Sequence, residues 1–412
     1  MERETLERWN EWWFTGKVPA ELAPEQARDL FAQLEPLLTS RQILSVVGLR
    51  RTGKTTLLYQ LIRRLLEKGI KKDSILYFSF DEKVESVEEV LQAYQEQRGV
   101  DFRNERVVVF LDEIQKVPGW ENQLKKYYDL YPKMKVIISG SESPFLSAQT
   151  KETLAGRVYE FVLPTLSFSE YVRFSGLGEM PATRAQQLFT EFVMQGGFPE
   201  MLGKDGRERE RYTKAVADKV VFQDLAPLTG IRDAEVMKAL IETLAVNPGM
   251  YIEYQSLAKQ LGKDRRSIKS YVQLLEQGFL VRVLGNYRKG RLASLRKTKR
   301  AYLTDTSFLA AYKGQVDETF FGRMVETAVV NGLNGRMFWK NSHEVDLVDK
   351  VPIEVKYMGK VTDRDEVGLR ACMRACGFRN GLLLTKNQEG VRQVPEGRIT
   401  FIPVWRFLLK GK

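Results

Sequence analysis

Short continuous apolar runs alternate with helical periodicity over the first 165 residues. Ile43-Leu44-Ser45-Val46-Val47, Ile75 to Phe80, Val107 to Leu111, Val136-Ile137-Ile138 and Val158 to Leu163 each read as a strand, the first and third as strands buried on both faces. Thr56 to Lys68 sets Leu57, Leu58, Leu61, Ile62, Leu65 and Leu66 on one broad helical face. Strands separated by helices at this spacing predict an α/β domain with a parallel sheet.

Beyond residue 165 the pattern changes. Phe168 to about Lys238 is mostly helical, with a turn at Gly196-Gly197-Phe198-Pro199. Three short helical patterns follow at 236–246, 254–261 and 265–278, the last two joined by Gly262-Lys263-Asp264, which predicts a helix-turn-helix with Asp264 as a helix cap. Leu257, Leu261, Ile268, Val272, Leu274 and Leu275 make its small core, and Phe279-Leu280-Val281 opens a β wing. After residue 315, a helix from Gly322 to Leu333 precedes three strand patterns at 336–339, 344–348 and 352–357. The expected division is 1–165, 166–235, 236–312 and 313–412.

Composition narrows the class. No run of 18 apolar residues occurs, so no membrane span is expected, and Met1-Glu2-Arg3-Glu4 does not begin a secretory signal. Cys372 and Cys376 are the only cysteines and His343 the only histidine, so a thiol–imidazole metal site is not expected and a cytoplasmic setting is. The net charge of +11 is unevenly spread. Residues 1–165 hold 24 Lys+Arg against 25 Asp+Glu, and the remainder holds 40 against 28. Two readings of the basic half stand open, a polyanion partner or a solvated lysine-rich surface.

The chemistry concentrates after the first strand. Gly48-Leu49-Arg50-Arg51-Thr52-Gly53-Lys54-Thr55 is a complete G-x-x-x-x-G-K-[ST] phosphate loop between a strand and a helix. Its backbone N–H groups suit phosphate, Lys54 suits the β- and γ-phosphates, and the Thr55 hydroxyl suits Mg²⁺. The strand at 107–111 ends in Asp112-Glu113, one acid to support Mg²⁺ and the next to polarise an attacking water. Ser141, after the 136–138 strand, is a candidate to face the γ-phosphate or a plain turn residue. Arg157 is either a transition-state arginine, in cis or from a neighbouring subunit, or an ordinary helix C-terminal arginine.

Two further constellations lie in the basic half. Arg265, Arg266 and Lys269 start the second helix of the helix-turn-helix, and the wing carries Arg282, Arg288, Lys289, Arg291, Arg296, Lys297, Lys299 and Arg300 with no acid among them. Such a surface suits phosphate neutralisation on nucleic acid, DNA first; protein contact is the other reading. Further on, Asp346, Glu354 and Lys356 lie on paired strand patterns, with Glu326 on the preceding helix. That set suits a Mg²⁺-dependent nuclease site or a docking domain with no catalysis.

The phosphate loop, Phe110-Leu111-Asp112-Glu113-Ile114, the strand ending in Ser139-Gly140-Ser141 and Leu154-Ala155-Gly156-Arg157 resemble the AAA+-like ATPases of the ASCE class. The resemblance implies ATP with Mg²⁺ as cofactor and a nucleotide set of Gly48, Arg50, Arg51, Thr52, Gly53, Lys54, Thr55, Thr56 and Ser141. It implies Glu113, Lys54 and Arg157 as catalytic residues, with an oligomer required if Arg157 acts in trans. Glu326, Asp346 and Glu354-Val355-Lys356 resemble the restriction-endonuclease-like fold. Together with Gly196-Gly197-Phe198-Pro199 and Lys299 to Asp305, nearly the whole chain resembles archaeal-type ATPases with a C-terminal domain of unknown function. That family implies ATP-switched DNA association through a winged helix and a nuclease-like α/β domain.

Overall fold

The computed structural model describes residues 3–141, 152–178, 180–226, 233–288 and 298–411, which divide into two compact units at Pro164/Thr165.

In unit 1 the apolar runs form β1 (Ile43–Val47), β2 (Ile75–Ser79), β3 (Val107–Asp112), β4 (Met134–Gly140) and β5 (Val158–Val162), all parallel in the order β2-β3-β4-β1-β5. Helices α1 (Arg3–Trp9), α2 (Trp12–Thr15), α3 (Asp29–Leu34), α4 (Lys54–Glu67), α5 (Val87–Arg98) and α6 (Trp120–Leu130) accompany the sheet. Every residue of β1 to β4 is buried, which explains their mostly apolar composition. Because β4 lies between β1 and β3, with Val47 opposite Gly140 and Leu111 opposite Ile138, three strand ends meet at one edge. That edge gathers the phosphate loop, Asp112 and Ser139 to Ser141.

The outer edge of β2 is closed by side chains. Asn10 Oδ1 accepts from Tyr77 N at 2.7 Å while Asn10 Nδ2 donates to Tyr77 O at 2.8 Å, and Trp13 Nε1 donates to Ile75 O at 2.8 Å. A carboxamide thus does the work of a sixth strand, and the edge presents no open ladder.

Unit 2 begins with α7 (Phe168–Phe174), α8 (Ala182–Gln195) and α9 (Gly206–Asp218). It continues through α10 (Ala234–Val246), β6 (Met250–Tyr251), α11 (Tyr254–Gln260), α12 (Arg265–Gln277), β7 (Val281–Asn286) and β8 (Lys299–Leu303). Next come α13 (Thr306–Lys313), α14 (Glu318–Gly332), β9 (Met337–Lys340), β10 (Glu344–Val345), β11 (Leu347–Val348) and β12 (Pro352–Lys356). The unit closes with α15 (Val367–Cys376), β13 (Asn380–Thr385), β14 (Gly390–Val394), β15 (Gly397–Pro403) and α16 (Val404–Leu409). One sheet runs β10-β9-β7-β8-β6 and the other β11-β12-β13-β15-β14.

Two sequence expectations change here. The segments separated at 312/313 share a sheet, since β9 pairs in parallel with β7. The β7–β8 hairpin expected as an exposed wing is therefore flanked on both sides, by β9 and by β6. The Gly196–Pro199 turn and the Lys299–Asp305 segment also meet. Asp305 Oδ2 accepts from Gly197 N at 2.9 Å while its Oδ1 caps α13 at Ser307 N, also at 2.9 Å.

Candidate functional site

The phosphate loop turns sharply between β1 and α4. Gly48 has φ +153°, and a Cβ there would lie 2.3 Å from the carbonyl oxygen of Leu163, so the loop passes the exit of β5 only with glycine at that position. Lys54 is buried at the first turn of α4 and its Nζ donates to Gly48 O at 3.0 Å and Leu49 O at 3.1 Å. Thr52 Oγ1 donates to Leu49 O at 3.0 Å. Arg51 takes φ +68°, Gly53 follows at +92°, and Arg50 within the loop and Thr56 just after it are half-buried.

Asp112 collects four donors: Thr55 Oγ1 at 2.6 Å, Tyr77 Oη at 2.9 Å, Ser139 Oγ, and Glu113 N at 3.1 Å. Burial raises its carboxyl above the ordinary value and the neighbouring Glu113 adds to this, while the Ser139, Thr55 and Tyr77 hydroxyls pull the other way. Glu113 adopts φ +54°, a left-handed backbone that costs about 1 kcal/mol or more for a residue with a side chain. Its carboxylate accepts from Ser141 Oγ at 3.1 Å and from Gln115 Nε2. A hydroxyl and a carboxylate 2.6 Å apart at the mouth of a phosphate loop are hard oxygen donors of the kind Mg²⁺ takes, so the residues fit that ion.

Two residues of this site lay outside the sequence reading. Arg28, buried just before α3, donates from Nη1 to Thr52 O at 2.7 Å and from Nη2 to Pro164 O at 2.8 Å. Tyr77 reaches Asp112 from β2, where Ser79 is the register partner of Asp112 and Tyr77 lies one diagonal step away on the same face.

Arg157 is not at this edge in its own subunit. It precedes β5, its carbonyl accepts from Ile43 N at the start of β1, and its guanidinium binds Asp129 at 3.1 and 3.3 Å beside the Tyr128 ring. β1 and β5 run in parallel, so a strand length, roughly 16 Å, separates it from the phosphate loop. The cis role is therefore corrected.

Among the basic residues of unit 2, Arg265, Arg266 and Lys269 are exposed at the start of α12, which Asp264 caps at Arg266 N (2.7 Å) and Ser267 N (3.0 Å). Lys289, Arg291, Arg296 and Lys297 lie outside the described residues. Lys299 is half-buried, Arg288 donates to Lys340 O at 2.7 Å, and Arg282 binds Asn331 and Asn334 at 3.1 and 3.2 Å. Arg300 corrects the expectation most. Its side chain is 8% exposed and points into the acidic cluster of the same unit.

That cluster brings together Glu326, Asp346, Glu354 and Lys356, and adds Glu344. Arg300 Nη2 binds Glu326 at 2.7 Å, and its Nη1 binds Glu344 at 2.9 Å and Asp346 at 3.5 Å. Tyr302 Oη donates to Glu326 at 2.6 Å, Val355 N to Asp346 Oδ2 at 2.9 Å, and Lys356 Nζ to Glu354 Oε1 at 2.5 Å. Burial, reinforced by Asp346, pushes Glu326 up to about 7 and Glu354 well above the carboxylate range. The Arg300 guanidinium already bridges Glu326, Glu344 and Asp346 and supplies their countercharge, so this arrangement does not fit a divalent ion. Among the described residues no group of three or more His, Cys, Asp or Glu is arranged to hold a metal.

Residues 40–172 match a family model described as "AAA domain", and residues 186–319 match one described as "Domain of unknown function (DUF8612)". An uncharacterized protein of Haemophilus influenzae is 25% identical over 329 residues, covering 76% of this chain and 80% of that one. One of Methanocaldococcus jannaschii is 23% identical over 426 residues, covering 93% and 92%. Among solved structures, AMPPCP-bound DnaA from Aquifex aeolicus is similar with a TM-score of 0.30 and 14% identity, over 73% of this chain and 96% of that one. Of two further matched structures the chain spans about half the length, 46% and 51%. The segment 40–172 is an AAA-type P-loop domain. No helix among the described residues is long and apolar enough to cross a membrane.

Proposed function

We propose that this chain is a Mg²⁺-dependent ATPase of the cytoplasm whose cycle governs nucleic-acid binding, DNA first, by unit 2. The observation that carries the ATPase reading is the 2.6 Å pairing of Thr55 with Asp112 at the mouth of the phosphate loop, with Glu113 next to Asp112 in the chain. When bound, Mg²⁺ supplies positive charge to the β- and γ-phosphates. Lys54 then binds those phosphates in exchange for the loop carbonyls, Thr55 and Asp112 hold the ion, and Glu113 takes a proton from the attacking water. Ser141, bonded to Glu113, orients that base. Arg157 completes a site only in a neighbouring subunit, so this reading of it requires an oligomer.

For unit 2, the order helix–strand–helix–helix–strand–strand across 234–303 supports a winged helix, with the exposed start of α12 as its nucleic-acid face. The order of α14, β9 to β12, α15 and β13 supports a restriction-endonuclease-like fold. ATP binding and turnover test the core of the proposal. Lys54→Ala should lose ATP affinity, and Glu113→Gln should bind ATP while hydrolysing it 10²-fold or more slowly. Unchanged turnover in both variants sinks the proposal.

A further inference from the structure

In a nuclease-like fold, the helix glutamate and the strand acids would be expected to converge on a divalent metal. Here they converge on a side chain. Arg300 lies on β8 in Lys299-Arg300-Ala301-Tyr302, so strand alternation sends Arg300 and Tyr302 to the same side and both reach Glu326. The guanidinium bridges carboxylates from α14 (Glu326), β10 (Glu344) and the position between β10 and β11 (Asp346). Its Nε donates to Gly249 O at 2.7 Å, and the rings of Tyr302, Phe338 and Tyr251 lie 5.2 to 6.0 Å from its carbon. Gly249 has φ +70°, and a Cβ there would meet Arg300 Nη2 at 2.5 Å and Tyr302 at 2.9 Å. The backbone therefore leaves room for this arginine in particular. A planar fork of five donors matches several carboxylates at once, whereas Mg²⁺ needs about 2.0–2.1 Å access to lone pairs aimed at one point. Only Glu354 Oε2 is buried here without a hydrogen-bond partner, and one oxygen does not make a metal site.

We infer that Arg300 is the resident cation of this cluster, a guanidinium standing where a nuclease-like fold carries its divalent metal, so that unit 2 binds no divalent ion there and cuts no phosphodiester bond. The inference rests on the nuclease-like reading of the fold and is independent of the ATPase reading. The arginine also ties β8 to α14 and β10.

The test uses the full-length, nucleotide-free protein, with Mn²⁺ as probe read by electron paramagnetic resonance and plasmid nicking assayed in Mg²⁺ and Mn²⁺. Wild type and Asp346→Asn should bind Mn²⁺ alike, and neither should nick. Mn²⁺ binding or nicking by wild type that Asp346→Asn abolishes overturns the inference. Arg300→Met should lower the melting temperature by roughly 6 °C or more, and millimolar Mn²⁺ should recover a large part of that loss, unless Asp346→Asn is combined with it. A folded Arg300→Met protein that ignores Mn²⁺ also overturns it. If Arg300→Met does not fold, the wild-type and Asp346→Asn comparison decides alone. ATP turnover reports separately on unit 1, so the failure of either reading is visible without the other.

Discussion

Tyr77 donates a 2.9 Å hydrogen bond to the same oxygen of Asp112 that Thr55 reaches at 2.6 Å. The tyrosine is fully buried, and its hydroxyl helps hold the carboxylate charged against the burial that pushes its proton affinity up. Tyr77→Phe keeps the packing and removes that donor. A hydrogen bond to a charged group contributes about 1.5–3 kcal/mol, so the Mg²⁺ concentration for half-maximal ATP turnover should rise about tenfold, and the melting temperature should fall as well because Asp112 stays buried with one donor fewer. An unaltered Mg²⁺ titration would show that Tyr77 only fills space.

Arg28 clamps two carbonyls, Thr52 in the phosphate loop and Pro164 at the end of unit 1. Arg28→Ala leaves both without this donor, at a cost of about 1–3 kcal/mol for each that stays buried. ATP affinity by calorimetry should fall about tenfold, and the melting temperature should fall with it. Arg28→Lys should not restore either, because one ammonium cannot reproduce a planar fork that reaches two separate oxygens. Full rescue by lysine would reduce Arg28 to a source of charge.

The strand–loop–helix at 43–67 and the strand ending in Asp112 were legible because contiguous residues carry them: an apolar run, two glycines and an acid pair. Arg28 and Tyr77 were not, since each acts on the phosphate site from another segment and has no local motif. Asn10, standing in for a strand beside β2, was hidden for the same reason. Composition alone groups Arg300 with one basic surface, whereas period-two alternation along Lys299-Arg300-Ala301-Tyr302 pairs it with a tyrosine on one face. The wing expectation failed at long range: nothing in residues 281–303 signals that β9 would pair with β7.

Glu396 makes stability depend on acid. It sits in the turn between β14 and β15, where Arg374 and Arg370 on α15 both bind its carboxylate, the latter at 3.0 Å. Those hydrogen bonds hold its pKa down to about 2, against 4.5 for the free side chain. The folded pKa is the lower, so the contribution is complete above 4.5 and is lost as pH falls from 4.5 toward 2. Melting temperatures between pH 5 and 3 should fall for wild type, and less steeply for Glu396→Gln, which should already be less stable at pH 6. Parallel curves for the two proteins would place the acid sensitivity elsewhere.

The exposed start of α12 offers the sharpest test of nucleic-acid binding. Ile268, Tyr271, Val272 and Leu275 turn inward and carry the packing of this helix, so Arg265, Arg266 and Lys269 can be replaced without touching its core. Each phosphate contact releases about 0.9 counterion on duplex DNA, and that sets the slope of log affinity against log salt. Replacing all three residues with alanine should flatten the slope by about 2 to 3 and weaken binding at low salt, equally for specific and scrambled duplexes, because phosphate contacts carry no base information. The Asp264 cap is retained in that variant, so circular dichroism should report an intact helix. ATP turnover without DNA should match wild type, since the altered face belongs to unit 2. A salt slope that does not move, with DNA still bound, would shift the interface to another surface of unit 2. No salt-dependent binding by wild type at all would favour a protein partner for this face.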